Sequence, residues 1–163
     1  MTIVNYKKET LEKIANHLKH RKERIAVAES VTAGFVQLAL SQMLNASDCF
    51  AGGITTYTID EKVRILNVDA ALAKACNCVS AEITEQMAIE VANLFKTDWS
   101  IATTGYATPV PQSGDKRFAF IAIVHNGQVV FTERIDVNNE DESENIQFYY
   151  CSQALEALQR ILS

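Results

Sequence analysis

Proline is almost missing from this chain. Two occur in 163 residues, Pro109 and Pro111, and both fall in one segment. With no internal repeat or low-complexity stretch beside them, a flexible linker or tandem array is excluded. Long apolar runs are absent too, and none approaches the ~20 residues a bilayer-spanning helix requires. The start, Met1 to Lys8, has no apolar h-region, so no signal peptide is expected. The expected setting is cytoplasmic, with no membrane partner. Basic residues are the minority: 15 Lys and Arg face 20 Asp and Glu, giving a net charge of −5. A broad nucleic-acid face needs clustered cations to displace counterions, so nucleic acid is not an expected partner. The short cluster Lys19-His20-Arg21-Lys22 reads as the solvated end of a helix. Cysteine is limited to four residues, and Cys76 and Cys78 are separated by one residue rather than the two of zinc and redox motifs. Reduced structural thiols and no metal site are expected. His17 and His20 read as surface residues.

What is present is a core. Hydrophobic residues make up 48% of the chain, enough for one domain over residues 1–163. Leu11, Ile14 and Leu18 recur at helical spacing, giving a helix over 7–21. Ile25 to Ala28 reads as a buried strand, followed by a turn at Ser30 and a helix. Gly53 to Tyr57 reads as a second strand, then a short helix capped by Asp60. Ser80 caps a long helix carrying Ile83, Met87, Val91 and Leu94. Trp99 to Thr103 is a third strand. Phe118 to Val124 and Val129 to Val137 flank Asn126-Gly127, the signal of a type I′ hairpin. An acidic stretch, Asn138 to Glu144, precedes a final helix. Alternation of strands and helices predicts an α/β fold, a three-layer α/β/α sandwich. Its mixed sheet of about five strands is mostly parallel, with one strand antiparallel through the hairpin.

In such sheets ligands sit beyond the C-terminal ends of the strands. Three turns qualify: Glu29-Ser30, Tyr57 to Lys62, and Thr104 to Pro109. A serine at a strand-to-helix turn suits a nucleophile beside an oxyanion hole or anion pocket, and equally a helix N-cap. No histidine falls in these turns, and G-x-S-x-G is absent, so neither a Ser-His-Asp triad nor a nucleophile elbow is supported. Lys62 is the candidate base, since a desolvated lysine has a lowered pKa and can take a serine proton. The alternative is an exposed helix lysine. Tyr57 can bond substrate or pack in the core. Thr104 can bond a carboxylate, phosphate or amide, and Gly105 permits close approach of a ligand. The alternative is a simple turn.

Four segments, Ala28 to Gly34, Thr56 to Val68, Val79-Ser80 and Ala102 to Pro109, resemble one family in order and spacing. They are similar to the AES-x-T-[AG]-G, TYSNEAK-x-x-LLGV, AVSEE and AVTGIAGP segments of the CinA C-terminal domain. That domain occurs in competence-damage-inducible proteins and in stand-alone nicotinamide mononucleotide deamidases. The resemblance spans residues 7–162 and implies a dimer or larger homo-oligomer. It implies hydrolysis of a small-molecule amide or nucleotide substrate to a carboxylate and ammonia, with no cofactor. Ser30 matches the family nucleophile, Lys62 the base, Thr104 the threonine of the TG turn and Tyr57 a pocket tyrosine. Thr32, Ala33 and Gly34 would supply oxyanion N–H groups.

The match has departures. Thr58-Ile59 replaces Ser-Asn, Thr108 replaces a glycine, and the loop over 110–115 is shorter. Arg117 takes the place of a glycine, where it can meet the substrate or pair with the acidic segment. The family's D-R-x-x-x-R pattern, which brings an arginine to the site, is replaced by acidic residues over 138–145. Three readings are open. The first is a nicotinamide mononucleotide deamidase-like amidohydrolase. The second is a catalytically silent module binding nucleotide or protein. The third is an amidase with a different, less anionic substrate.

Overall fold

The computed structural model describes residues 5–163. Met1 to Val4, half of the segment read for a leader, lie outside the described residues. Five strands form one sheet in the order β2-β1-β3-β4-β5. They are β1 (Ile25–Glu29), β2 (Phe50–Thr55), β3 (Trp99–Tyr106), β4 (Arg117–His125) and β5 (Gln128–Val137). β1 runs parallel to both β2 and β3, and β4 pairs antiparallel with β3 and with β5. β4 is therefore the one reversed strand, as the hairpin requires. Asn126 and Gly127 both adopt positive φ, 50° and 78°, the pair of values a type I′ turn needs.

Side chains alternate across the sheet and build two cores. Ile25, Val27, Ile101, Ile121 and Ile123 face the cluster containing Leu11, Leu18, Tyr150 and Leu158. Those residues come from α1 (Lys8–Arg21) and α6 (Ser143–Leu162), with α2 (Phe35–Ser41) beside them. Ala26, Ala28, Ala102 and Ala122 face the opposite cluster with Ile83, Met87 and Val91 of α5 (Ala81–Phe95). The alanines keep this face shallow, so α5 crosses β1, β3 and β4 closely. β1 is buried along its whole length, which explains its unbroken apolar run.

Several boundaries differ from the sequence reading. α3 (Ile59–Leu66) is capped by Thr58, whose hydroxyl accepts from the Glu61 N–H at 3.3 Å, not by Asp60. A further helix, α4 (Ala70–Ala75), comes next, with the Asp69 carboxylate accepting from the Leu72 N–H at 2.6 Å. β2 stops at Thr55, so Tyr57 lies beyond it. β3 continues through Tyr106, which places Thr104 and Gly105 inside the strand, opposite Phe120 and Ala119. No helix among the described residues is long and apolar enough to cross a membrane.

Candidate functional site

A buried interior strand, β1, delivers the serine. At the end of β1 the Ser30 N–H donates to the Thr103 carbonyl at 3.0 Å. One residue earlier, the Glu29 carbonyl accepts from the Thr56 N–H at 2.9 Å. The turn is thus held between the ends of β2 and β3, the position where α/β sheets place ligands.

Glu29 organises the turn from Ser30 into α2. It is fully buried, and its carboxylate accepts from the N–H groups of Gly34 (3.0 Å), Val36 (3.1 Å) and Gln37 (2.8 Å). The Thr32 hydroxyl donates to it as well. An internal anion therefore satisfies the start of α2, in accord with the positive end of a helix. Ser30 is not the cap of that helix, which begins at Phe35 with Gly34 as its boundary residue. The oxyanion assignment shifts for the same reason. The Ala33 N–H donates to the Ser30 carbonyl at 3.1 Å, and the Gly34 N–H is spent on Glu29. Thr32 is fully buried, its hydroxyl 2.7 Å from that of Thr103. Val31 and Thr32 are the residues of this turn whose N–H groups have no protein partner among the described residues. Glu29 carried no role in the sequence reading; the available signal was an acid placed between a buried strand and a helix start.

Lys62 meets Ser30. It sits on α3, four residues after the Thr58 cap, and is 2% exposed. Its Nζ lies 3.0 Å from Ser30 Oγ and donates to the Tyr57 carbonyl at 3.2 Å. Burial holds its pKa below the ordinary lysine value, partly opposed by the nearby Cys78 thiol. Burial pushes the Cys78 thiol up, with Lys62 acting against it. No carboxylate pairs with Lys62, so desolvation favours the neutral amine that a base needs.

A cavity of about 440 Å³ opens over this pair, within the roughly 300–1,000 Å³ typical of small-molecule sites. Thr104 lines it, but its hydroxyl donates to the Cys78 carbonyl at 2.9 Å and so fixes the wall formed by Asn77 and Cys78. Tyr57 is 70% exposed and forms the lip, which excludes a core role. Gly105 lines the cavity, yet its need for glycine lies elsewhere. A Cβ there would stand 2.4 Å from the Phe118 carbonyl oxygen and 2.5 Å from Ala119 Cα, so β4 forbids one. Arg117 is not brought to the site. Its Nη1 donates to the Asn139 carbonyl at 2.7 Å, drawn to the loop before α6, and it lines a separate groove with Asp136. Thr32, Ala33 and Gly34 also lie outside the cavity wall. Sequence reasoning missed the contribution of α6. Gln147 donates to the Val31 carbonyl at 2.8 Å, and Ser143, one turn earlier, joins it in lining the cavity. Among the described residues no three His, Cys, Asp or Glu side chains cluster as a metal site.

The profile of the CinA C-terminal domain matches residues 7–162. The chain belongs to the CinA C-terminal domain family. A CinA-like protein of Picosynechococcus sp. is 30% identical over 151 residues, covering 91% of this chain and 36% of that protein. One from Prochlorococcus marinus is 33% identical over 151 residues, covering 92% of this chain and 34% of that protein. The chain thus spans about a third of the length of these relatives. Among solved structures, a competence or damage-inducible protein from Enterobacter asburiae superposes with a TM-score of 0.90 at 25% identity. It covers 98% of this chain and 99% of that one. A competence damage-inducible protein A from Klebsiella pneumoniae gives 0.88 at 26% identity, covering 96% of each chain. The CinA segments read in the sequence lie around one cavity: Ser30 and Val31, Tyr57 to Ile59 with Lys62, Val79, and Thr104 to Thr108 all contribute to its wall.

Proposed function

We propose that this CinA domain is an amidohydrolase that converts a nicotinamide-type carboxamide to the carboxylate and ammonia, with Ser30 as nucleophile and Lys62 as general base. The observation that carries the reading is the 3.0 Å contact between Lys62 Nζ and Ser30 Oγ on the floor of the cavity. A silent binding module has no need of a desolvated amine against a serine hydroxyl, so the contact favours turnover.

The chemistry is set by proton bookkeeping. The neutral Lys62 amine takes the Ser30 hydroxyl proton as Oγ attacks the amide carbon. The carbonyl oxygen gains the negative charge, and the free N–H of Val31, which lines the cavity, is the donor available to it. The C–N bond breaks as Lys62 returns its proton to the leaving nitrogen, releasing ammonia and leaving an ester on Ser30. Lys62 then takes a proton from water, the resulting hydroxide attacks the ester, and Oγ leaves with the proton restored. The sum is amide plus water giving carboxylate plus ammonium. Glu29 and Gln147 act as positioning residues, because they hold the turn bearing Ser30 and Val31.

The test is ammonia release from nicotinamide-type carboxamides by the wild type, Ser30→Ala and Lys62→Ala. Removing the base is expected to lower kcat by about 10²–10⁴-fold. Equal rates in wild type and Lys62→Ala would eliminate the Ser-Lys mechanism.

A further inference from the structure

The charge content of the cavity narrows what it can bind. Among the described residues its wall carries one cation, Lys62, with no arginine and no carboxylate. The Lys62 amine is occupied by Ser30 Oγ and the Tyr57 carbonyl, and burial disfavours its charged form. The remaining polar lining consists of amides, hydroxyls and the Cys78 thiol, among them Asn77, Gln112, Ser143, Gln147, Tyr57 and Tyr106. The arginines of the neighbouring elements are engaged elsewhere. Arg64 pairs with Glu61, Arg117 is turned to Asn139, and Arg134 is bidentate to Asp136 over the Phe118 ring.

Acids flank one wall residue along the chain. α6 enters the cavity wall at Ser143, and its flanking Glu142 and Glu144 are exposed. The positive end of this 20-residue helix therefore already has acids beside it. A phosphate dianion is held by an arginine fork, a lysine or a set of free N–H groups. Here it would meet amides and hydroxyls inside and like charge at the nearby start of α6.

We propose that the site takes a carboxamide without a phosphate, of nucleoside size or smaller, and selects against the phosphorylated form. Turnover of that ligand rests on the amidohydrolase reading, whereas the binding preference does not.

Nicotinamide riboside and nicotinamide mononucleotide, which differ by one phosphate, are the probes. Calorimetric titration of Ser30→Ala avoids turnover and reads binding alone. At low salt the mononucleotide is expected to bind at least about tenfold more weakly than the riboside, and the gap is expected to shrink as salt screens those acids. Ser143→Arg, at an exposed position, is expected to narrow or reverse the gap. Equal or tighter binding of the mononucleotide at low salt, or no binding of the riboside, overturns the proposal. Riboside binding with that preference but no ammonia from the wild type upholds it and removes the amidohydrolase reading instead.

Discussion

Glu29→Gln is expected to cost far more than an exposed isosteric change. The carboxylate accepts from four donors: the N–H groups of Gly34, Val36 and Gln37, and the Thr32 hydroxyl. The bonds divide three to one: the Thr32 hydroxyl and the Gly34 and Val36 N–H groups meet Oε2, and the Gln37 N–H meets Oε1. A glutamine can turn its oxygen toward the three, but its amide nitrogen then faces the Gln37 N–H. A buried donor left unpaired costs about 1–3 kcal/mol, and bonds to a charged acceptor lie at the upper end of hydrogen-bond strengths. One lost partner therefore amounts to about 1–3 kcal/mol. For a chain of this size that corresponds to a Tm lower by about 2–12 °C. Urea unfolding followed by Trp99, which is buried against His125, gives the free energy directly. The same turn carries the Val31 N–H, so kcat should fall while ligand affinity changes less. A loss below about 0.5 kcal/mol, the scale of an ordinary surface substitution, would refute the assignment of Glu29 as the acceptor that holds the turn.

Three further outcomes rest on the same geometry. Lys62→Met should abolish ammonia release yet raise Tm, because an apolar chain of similar length removes a buried amine that has no carboxylate partner among the described residues; a lower Tm would count against the desolvation argument. Since folding depresses the Lys62 pKa, its stability cost is full where the amine is charged in both states and fades as pH rises toward the ordinary lysine value of about 10.4. The stability gap between wild type and Lys62→Met should accordingly close at alkaline pH. Activity should rise with pH through one ionisation below the ordinary lysine value, read as the limb of kcat/KM against pH, and a flat profile would remove Lys62 as base. Gly105→Ala should cost about 1–3 kcal/mol in urea unfolding, since the new Cβ meets the backbone of β4 rather than a yielding side chain.

Much of the architecture was legible in the sequence because large and small apolar residues alternate with the strand period. Ile25, Val27, Ile101 and Ile121 fall to one face and Ala26, Ala28, Ala102 and Ala122 to the other. The Asn126-Gly127 turn announced the reversed strand. Ser30 and Lys62 were legible as a pair because their turns come after β1 and β2, which lie side by side. Other features depended on tertiary partners. α4 is a short, alanine-rich helix without an amphipathic period. β3 outran its expected end because β4 supplies partners for Thr104, Gly105 and Tyr106. The fate of the α2 N–H groups was hidden because Ala33 adopts φ 49° and Gly34 φ 108° as the chain turns back on the Glu29 carboxylate. The family resemblance puts Arg117 near the site, in place of a glycine, but the carbonyl of Asn139 draws its guanidinium away.

The most direct test of the Ser30–Lys62 account is acid-quenched peptide mass spectrometry during turnover of nicotinamide riboside, with Ser30→Ala in parallel. The account predicts an acyl ester on the peptide containing Ser30, accompanied by ammonia, and neither in Ser30→Ala. Ammonia release by Ser30→Ala at the wild-type rate, with no adduct on the wild-type peptide, would contradict it.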